Sequence, residues 1–319
     1  MPESIQASRT RTRLRGCFRV STLETRILVA GATGQVGGLV ARKLLAAGIP
    51  VRALGRNREK LAALTAAGAE AVSVDLRDRP AVVRACDEVG QIFTSVNNVM
   101  GHGASSPNRV DLPAHDSLCD AARQCGVRRI VYLSGRGMGV DNPVDFLRVK
   151  LSIEERIRRS GLPYVLIQPG AFMETWAGML MGGIRKNGVA VLFGNGRSIA
   201  NFIAVDDVAE FSVRILSQEK VRDEVIEVGG PSSLSFEDLV TLLEKQMGVR
   251  AKRRRIPLPV LWWGGLLLRP FNEVPARLMR MGYFTATSDG RFPAWKTAAD
   301  RFGVSPQTIE TFVAAQPRS

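Results

Sequence analysis

Three glycines in the stretch RILVAGATGQVGG lie where an apolar strand meets an amphipathic helix. Gly31, Gly34 and Gly37 are spaced three residues apart at this junction. Glycine permits a tight turn and a close approach of the backbone, and the free N–H groups at a helix N-terminus attract an anion. Further donors to that anion would come from Thr33, Gln35 and Val36. The pattern predicts a phosphate site, and the βα units that follow it make a dinucleotide pyrophosphate the expected ligand.

The end of the second predicted strand decides which dinucleotide is expected. An NAD site places Asp or Glu there to accept a hydrogen bond from the ribose 2′-OH. This chain reads VRALGRNREK, with Gly55 and Arg56 at that point. An arginine can pair with a 2′-phosphate, so we expect NADP(H) in preference to NAD(H), with Arg52 or Lys60 as a second cation. The alternative is that Arg56 is an ordinary surface residue near the start of a helix.

Two residues at the end of the third predicted strand are candidates for the adenine end of the cofactor. Asp75 and Leu76 follow the apolar run EAVSV directly. Ligands of doubly wound sheets bind at the carboxyl ends of the strands, so both residues are placed to contact the adenine. Asp75 alternatively caps the turn that follows the strand.

Short β-branched runs alternate with helical patterns from residue 26 onward. The runs are RILVA, PVRAL, EAVSV, QIFTSV, RRIVYL and PYVLIQ. Helical patterns between them cover 35–47, 57–67, 80–86, 111–125 and 144–159. This alternation predicts an α/β fold, a doubly wound parallel sheet of six strands with right-handed crossovers, in other words a Rossmann fold.

The period changes after residue 170, which predicts a three-part chain. Residues 1–25 form a basic arm, expected to be disordered; residues 26–170 form the NAD(P)-binding domain; residues 171–319 form a smaller α/β lobe for a substrate or partner. Within the lobe, Ser235 and Asp238 match a capping box, and Gly248 is expected to end that helix. Asp206 and Asp207 suit helix capping better than a paired-carboxylate site.

Several segments together resemble the atypical short-chain dehydrogenase/reductases of the NmrA-like group, which includes isoflavone reductase-like and triphenylmethane reductase-like proteins. The segments are VAGATGQVGG, VRALGRNREKLAAL, VSVDLRD, GLPYVLIQPGAFMET and NFIAVDDVAEF. The resemblance implies a Rossmann domain, a nicotinamide cofactor and a small variable substrate lobe. By position in that pattern, Asn97 is implied to lie near the cofactor, and Pro169, Gly170 and Phe172 beside the nicotinamide.

The chain departs from the wider superfamily at the catalytic helix. Those dehydrogenases use Ser with a Tyr-x-x-x-Lys pair, in which the tyrosine donates the proton. Here Ser134 and Lys150 are present, but Phe146 replaces the tyrosine. We expect Lys150 to bind the cofactor ribose or act as general acid, and Ser134 to orient a substrate oxygen. The alternatives are a solvated helix lysine and a serine that caps the strand end; Tyr283 is either a replacement hydroxyl or a core residue.

Composition narrows the remaining classes. The net charge of +14 is concentrated in the N-terminal arm and in RAKRRR at 250–255, without aromatic interleaving or a DNA-binding motif, so no specific nucleic acid is expected. Four Cys and two His form no metal motif, and reduced cysteines favour a cytoplasmic location. The apolar run IPLPVLWWGGLLL is too short to span a membrane and is expected to be buried or at an interface. The less favoured alternative is a segment that lies on a membrane.

Two functions remain open at this level. The first is an NADP(H)-dependent oxidoreductase that transfers hydride to an activated apolar or aromatic acceptor, such as a quinone or an enone, without the usual tyrosine. The second is a non-enzymatic NAD(P)H-binding sensor or assembly protein whose basic surface engages a protein partner. The fold alone does not separate them.

Overall fold

A seven-stranded parallel sheet forms the centre of the computed structural model, which describes residues 26–316. The predicted basic arm, residues 1–25, lies outside the described residues. The strands are β1 (Ile27–Ala30), β2 (Val51–Gly55), β3 (Glu70–Ser73), β4 (Gln91–Thr94), β5 (Arg129–Leu133), β6 (Tyr164–Pro169), β7 (Ala171–Phe172), β8 (Val189–Phe193), β9 (Ile199–Ile203), β10 (Glu224–Val228), β11 (Ser232–Ser235) and β12 (Lys252–Ile256). The order β10-β6-β5-β4-β1-β2-β3 confirms the predicted Rossmann topology.

Helices cover both faces of this sheet, because alternate strand residues bury apolar side chains in two separate layers. In β1, Ile27 and Val29 belong to one layer, and Leu28 and Ala30 to the other. The helices are α1 (Gln35–Ala46), α2 (Arg58–Ala66), α3 (Arg79–Cys86), α4 (Pro107–Gln124), α5 (Asp145–Arg159), α6 (Met173–Asn187), α7 (Val205–Leu216), α8 (Phe236–Met247), α9 (Leu258–Leu267), α10 (Glu273–Thr287), α11 (Trp295–Phe302) and α12 (Ile309–Ala314). The layers make the sheet doubly wound.

The seventh strand was not predicted. All six predicted strands are present, but β10 pairs in parallel with β6, with Val225 opposite Leu166. Helix α7 also packs on α1, so residues 205–228 return to the central sheet from beyond residue 170. The packing of residues 205–228 on the central sheet does not test where the domains divide. The division of the chain at residue 170 stays a prediction.

Helix α11 packs on β10 and α7 at the central sheet, and the remaining elements form a smaller α/β layer at its carboxyl edge. Strands β11, β9 and β7 form one small sheet, and β12 pairs in parallel with β8. Helices α6, α8 and α12 bury a third apolar cluster that includes Met173, Phe202 and Leu239. Among residues 26–316, no helix combines the length and apolarity needed to cross a bilayer. The predicted cytoplasmic location stays a prediction.

Local helix signals were partly correct. The capping box of Ser235 and Asp238 is confirmed, and Gly248 ends α8 at φ +68°. Neither Asp206 nor Asp207 is the N-cap of α7, because both lie in the first turn after Ala204. The Asp207 carboxylate nevertheless accepts hydrogen bonds from the backbone of Ala204, the N-cap residue, and from the Gln307 amide, the latter at 3.1 Å, in agreement with the predicted structural role. The carboxylate of Glu174 accepts the hydrogen bond from the Val205 amide at 3.0 Å.

One buried arginine fastens the returning segment to the sheet. Arg129 in β5 donates to the carbonyl oxygens of Ile215 at 3.1 Å and Leu216 at 3.0 Å, at the end of α7. It also donates to Gln218 O at 2.9 Å and contacts Gln91 Oε1 at 3.0 Å. A buried carbonyl left without a donor costs about 1–3 kcal/mol.

We therefore expect Arg129→Leu to lower the free energy of unfolding by at least about 3 kcal/mol, because several buried carbonyls lose their donor together. The matched control is Arg128→Leu, one residue earlier, where an exposed ion pair with Glu219 at 2.6 Å is lost. That change should cost less than about 1 kcal/mol. Urea unfolding monitored by circular dichroism measures both; equal losses would contradict the role assigned to Arg129.

Candidate active site

A cavity of about 190 Å³ opens at the carboxyl ends of β1, β2, β3 and β4. It lies at the switch point of the strand order, where β1 is flanked by β2 on one side and β4 on the other. Its lining residues are Gly31, Thr33, Gly34, Leu54, Gly55, Arg56, Val74, Asp75, Leu76, Ser95, Val96, Asn97, Asn98, Val110, Asp111 and Ala114. Seven of the residues predicted to bind a cofactor therefore share one cavity.

The glycine loop closes one wall of this cavity by direct backbone contact. Gly31 adopts φ +84°, a conformation that other residues rarely adopt. Its amide donates to Leu54 O at 3.1 Å, and its carbonyl accepts from the Gly34 amide at 2.9 Å. A Cβ at Gly37 would lie 2.3 Å from the Gly31 carbonyl oxygen, closer than any real contact allows. The loop and helix α1 approach this closely only because Gly37 has no side chain.

The first turn of α1 has no internal cap. Its N-cap residue is Gly34, which has no side chain to accept a hydrogen bond, and residues 35–37 include no acid. The amides of Gln35, Val36 and Gly37 belong to this first turn, where a helix supplies no acceptor of its own. A helix end of this kind binds anions, and this one borders the cavity. The residues present therefore fit a pyrophosphate.

The second strand ends without a carboxylate. A Cβ at Gly55 would lie 2.4 Å from the Thr33 side chain, so this position has no room for an acid. Arg56, the next residue, is exposed and lines the cavity. Lys60 donates to Thr33 O at 3.3 Å and so lies on the glycine loop.

The suggestion that Arg52 assists Arg56 was wrong. The Arg52 side chain is buried and turns away from the cavity toward the end of α3. There it donates to Ala85 O at 2.8 Å and Asp87 O at 2.6 Å, and it pairs with Glu70 at 2.9 Å. Arg52 is the second residue of β2, four residues before Arg56, and at about 3.3 Å per residue it lies roughly 13 Å from Arg56, at the end of the strand where the cavity opens.

Asp75 closes the turn after β3, as one of its two expected roles required, and its contact with an adenine stays a prediction. It lines the cavity, and its Oδ1 accepts the Arg77 amide at 3.0 Å, which closes the turn after β3. The Arg77 guanidinium, 2.6 Å away, lowers the pKa of Asp75 to about 2. Leu76 and Asn97 line the same cavity, and Asn97 Oδ1 accepts from the Val99 amide at 3.2 Å.

Lys150 and Ser134 lie together at the end of β5, deeper than the cavity lining. Lys150 is only 8% exposed, and its Nζ donates to Leu133 O at 3.0 Å. Burial lowers the pKa of Lys150 to about 8, although the carboxylates of Asp111 and Glu154 act in the opposite direction. The Ser134 hydroxyl is buried and lies 3.4 Å from Met138 Sδ. The alternative that Lys150 is a solvated helix lysine is therefore wrong.

Phe146 lies in the first turn of α5, half-buried and without a hydroxyl. The half-buried ring of Tyr283 packs on Trp262 with centroids 4.9 Å apart. This packing matches a core residue better than a hydroxyl that replaces the missing one at position 146. Pro169, Gly170 and Phe172 lie at the ends of β6 and β7, outside the cavity lining. Their contact with a nicotinamide stays a prediction.

Sequence reasoning missed a buried polar pair on α4. Asp111 accepts the Asn98 amide at 2.9 Å through Oδ2, while its buried Oδ1 has no hydrogen-bond partner among the residues that the structure describes. His115 Nδ1 lies 2.6 Å from the Asp111 carbonyl oxygen, which can only accept, so Nδ1 carries the proton. Burial lowers the pKa of His115 to about 4, and the ring is neutral. The signal was available as Asp and His four residues apart on an apolar helix face.

The helix was also longer than predicted. It begins at Pro107 rather than Asp111, so Asp111 lies inside α4 instead of at its start. Within the described part of the chain, no group of His, Cys, Asp and Glu side chains could hold a metal ion.

Comparison with known proteins decides the family. The model of the NmrA-like family matches residues 24–274, most of the chain. The chain belongs to the NmrA-like family. Within it, the chain is 30% identical over 223 residues to an NAD(P)H azoreductase of Xenophilus azovorans, covering 70% of this chain and 74% of that protein. It is 28% identical to photosystem II assembly factor Ycf39 of Cyanophora paradoxa, over 74% and 73% of the two chains.

Solved structures show the same fold for this NmrA-like protein. An NADPH-dependent quinone oxidoreductase of Escherichia coli, complexed with NADPH, superposes with a TM-score of 0.74 at 23% identity, covering 90% of this chain and 98% of that one. The Citrobacter triphenylmethane reductase complexed with NADP(H) gives a TM-score of 0.71 at 21% identity, with 90% and 98% covered.

The contact between Gly37 and Gly31 can be tested by adding one methyl group. Gly37→Ala should lower the free energy of unfolding by about 1–3 kcal/mol, because the loop or helix must move apart. Gly182→Ala is the matched control, since Gly182 is exposed in α6 with open space at its Cβ position. It should raise the same free energy by about 0.5–1 kcal/mol. Unfolding in urea compares the two, and a neutral Gly37→Ala would refute the close contact.

Proposed function

We propose that this chain is an NADP(H)-dependent oxidoreductase that reduces an activated apolar acceptor, such as a quinone or a conjugated enone. The observation that carries the proposal is one cavity lined both by Gly34, the N-cap of the uncapped helix α1, and by Arg56 after β2. The first suits a pyrophosphate and the second a 2′-phosphate. The names of the azoreductase relative and of the two reductase structures support the same assignment.

Each part of the cofactor has matching residues at the edge of the sheet. The pyrophosphate would be held by the amides of Gln35, Val36 and Gly37, with Thr33 beside them. Arg56 would pair with the 2′-phosphate, and Val74, Asp75 and Leu76 would border the adenine. Asn97, Lys150, Ser134, Pro169, Gly170 and Phe172 are proposed for the nicotinamide half. When bound, NADPH supplies the hydride for the reduction.

The proton chemistry rests on Lys150. Its ammonium group is buried at the end of β5, and its lowered pKa lets it hold a proton at neutral pH and release it easily. Phe146 offers no proton in place of the usual tyrosine. An activated acceptor suits this arrangement, because hydride addition to a quinone gives a stabilised anion that takes its proton from the Lys150 ammonium. Ser134 is proposed to orient the acceptor oxygen.

A second function has a specific observation in its favour. The missing hydroxyl at position 146 is compatible with a protein that binds NAD(P)H without turning it over. The relatives include proteins named photosystem II assembly factors, and the exposed basic residues around β12 would serve a protein partner. A turnover measurement separates the two functions.

The cofactor preference is tested at Arg56. Arg56→Ala should raise the Kd for NADPH about tenfold to hundredfold and leave the Kd for NADH nearly unchanged, because only NADPH carries the 2′-phosphate. Arg58→Ala is the matched control, since Arg58 is also exposed but does not line the cavity. Cofactor fluorescence titration gives all the constants. Equal weakening of both nucleotides would remove the NADP(H) preference.

The role of Lys150 is tested by the pH dependence of turnover with a panel of quinones and enones. Lys150 is protonated below about pH 8 and loses its proton above it, so kcat/KM should fall as the pH rises through 8. Lys150→Met should reduce kcat/KM by about 100-fold at neutral pH and remove this fall, whereas Lys186→Met on the exposed face of α6 should change neither.

Two results would count against the proposal. An unchanged pH profile in Lys150→Met would show that Lys150 is not the proton donor. If no acceptor oxidises bound NADPH faster than the uncatalysed reaction, the binding-protein function replaces the reductase.

A further inference from the structure

Helix α9, Leu258–Leu267, is apolar on every side but is not buried. No charged residue occurs between Ile256 and Leu268. A helix of this composition is normally enclosed in a core or in a membrane. Here only Leu261 and Gly265 are buried, one turn apart, where α9 packs on α10. The segment is therefore not buried, and most of this apolar surface faces outward, so of the two expectations only an interface stays open.

The outward side chains form a continuous line, which we call the α9 ridge. It consists of Val260, Trp263 and Leu267, at helical spacing on one face, and continues to Phe271 beyond the helix. Trp263 is 57% exposed, Leu267 66% and Phe271 87%. Large apolar side chains exposed together mark an interaction surface, whereas single ones are ordinary.

Unpaired cations lie at both ends of the α9 ridge. Between residues 250 and 280 there are eight basic residues and one acid, Glu273. Three of the eight, Arg253, Arg255 and Arg277, form ion pairs within the fold. At the end where α9 begins, Lys252 and Arg254 have no acidic partner in the part of the chain that the structure describes.

A second group of cations lies where α9 ends. Arg280 stacks on the Trp262 ring at 4.1 Å, and Arg269 follows the helix directly. Partial burial lowers the pKa of Arg280, and the charges of Arg269 and then Arg148 lower it further. Three like charges around an apolar helix repel one another and favour an anionic partner.

We propose that the α9 ridge lies flat in the surface of an anionic lipid bilayer. A helix of ten residues is too short to cross a bilayer but long enough to bury one face at the level of the headgroups. Tryptophan favours this interface, where its ring is apolar and its N–H is hydrated. Cations at both ends of the ridge would contact lipid phosphates or carboxylates.

The helices place this surface next to the candidate active site. Arg277 in α10 pairs with Asp145 at 2.7 Å and donates to the carbonyls of Val99 at 2.7 Å and Gly101 at 2.9 Å. A Cβ at Gly137, in the loop after β5, would lie 2.9 Å from Phe284 of α10. If the proposed reductase function holds, the acceptor side of the site lies near the bilayer in which apolar quinones dissolve. Bilayer binding itself does not depend on that function.

The test is co-sedimentation of the full chain with vesicles of phosphatidylcholine, alone or mixed with phosphatidylglycerol. We expect the protein to bind the mixed vesicles, with an affinity that falls at high salt. Its affinity for pure phosphatidylcholine vesicles should be at least about tenfold weaker. Trp263→Glu combined with Leu267→Glu should reduce binding by at least about tenfold, and Arg269→Gln by about fivefold. Brominated phosphatidylcholine in the mixed vesicles should quench the tryptophan fluorescence of the wild-type protein.

The control is Met179→Glu, which places one glutamate, half the charge that the double variant adds, on an exposed apolar position of α6 outside the ridge. It should bind vesicles like the wild type, and circular dichroism checks that every variant is folded. Failure of the wild-type chain to bind mixed vesicles would overturn the proposal, as would undiminished binding by the double variant. If sedimentation velocity instead shows a dimer that only the double variant dissociates, and no vesicle binding occurs, the ridge is a contact between two copies.

Discussion

The contact between the Gly37 Cα and the Gly31 carbonyl governs the arrangement of the site. With no side chain between them, α1 begins directly behind the end of β1, and its N-cap residue, Gly34, lines the cavity. Gly34 supplies no cap of its own, so the positive end of the helix remains available to an external anion. A capping side chain would satisfy the same amides and remove the site. The helix forgoes the local stability of a cap, and its first amides are thereby left free for an anion.

Burial of charge is the second feature of this edge of the sheet. Lys150 and Asp111 are both removed from water, and burial shifts the pKa of each toward its neutral form. The Asp111 carboxylate raises the pKa of Lys150, and the Lys150 ammonium lowers the pKa of Asp111. Each group therefore partly offsets the effect of burial on the other. Arg277 holds the loop after β4 and the start of α5 together, which fixes both groups in place. The arrangement concentrates titratable groups around one edge, as functional sites do.

The features that were predicted correctly from the sequence are those determined by residues close together in the chain. The glycine loop, the six βα strands and the capping box of Ser235 each depend on residues within a few positions, and all are present. The unpredicted features depend on distant contacts. Strand β10 joins the sheet through its pairing with β6, which is distant in the sequence. The Arg52 side chain points toward α3 because it donates to backbone carbonyl oxygens at the end of that helix. The exposure of Trp263 likewise depends on which single face of α9 meets α10.

The central claim concerns where a dinucleotide phosphate binds, and a crystal structure of the chain with NADPH tests it most directly. The account predicts pyrophosphate oxygens within hydrogen-bond distance of the amides of Gln35 and Val36, and the 2′-phosphate against Arg56. A complex with the pyrophosphate elsewhere, or crystals in which the nucleotide fails to bind at saturating concentration, would contradict it.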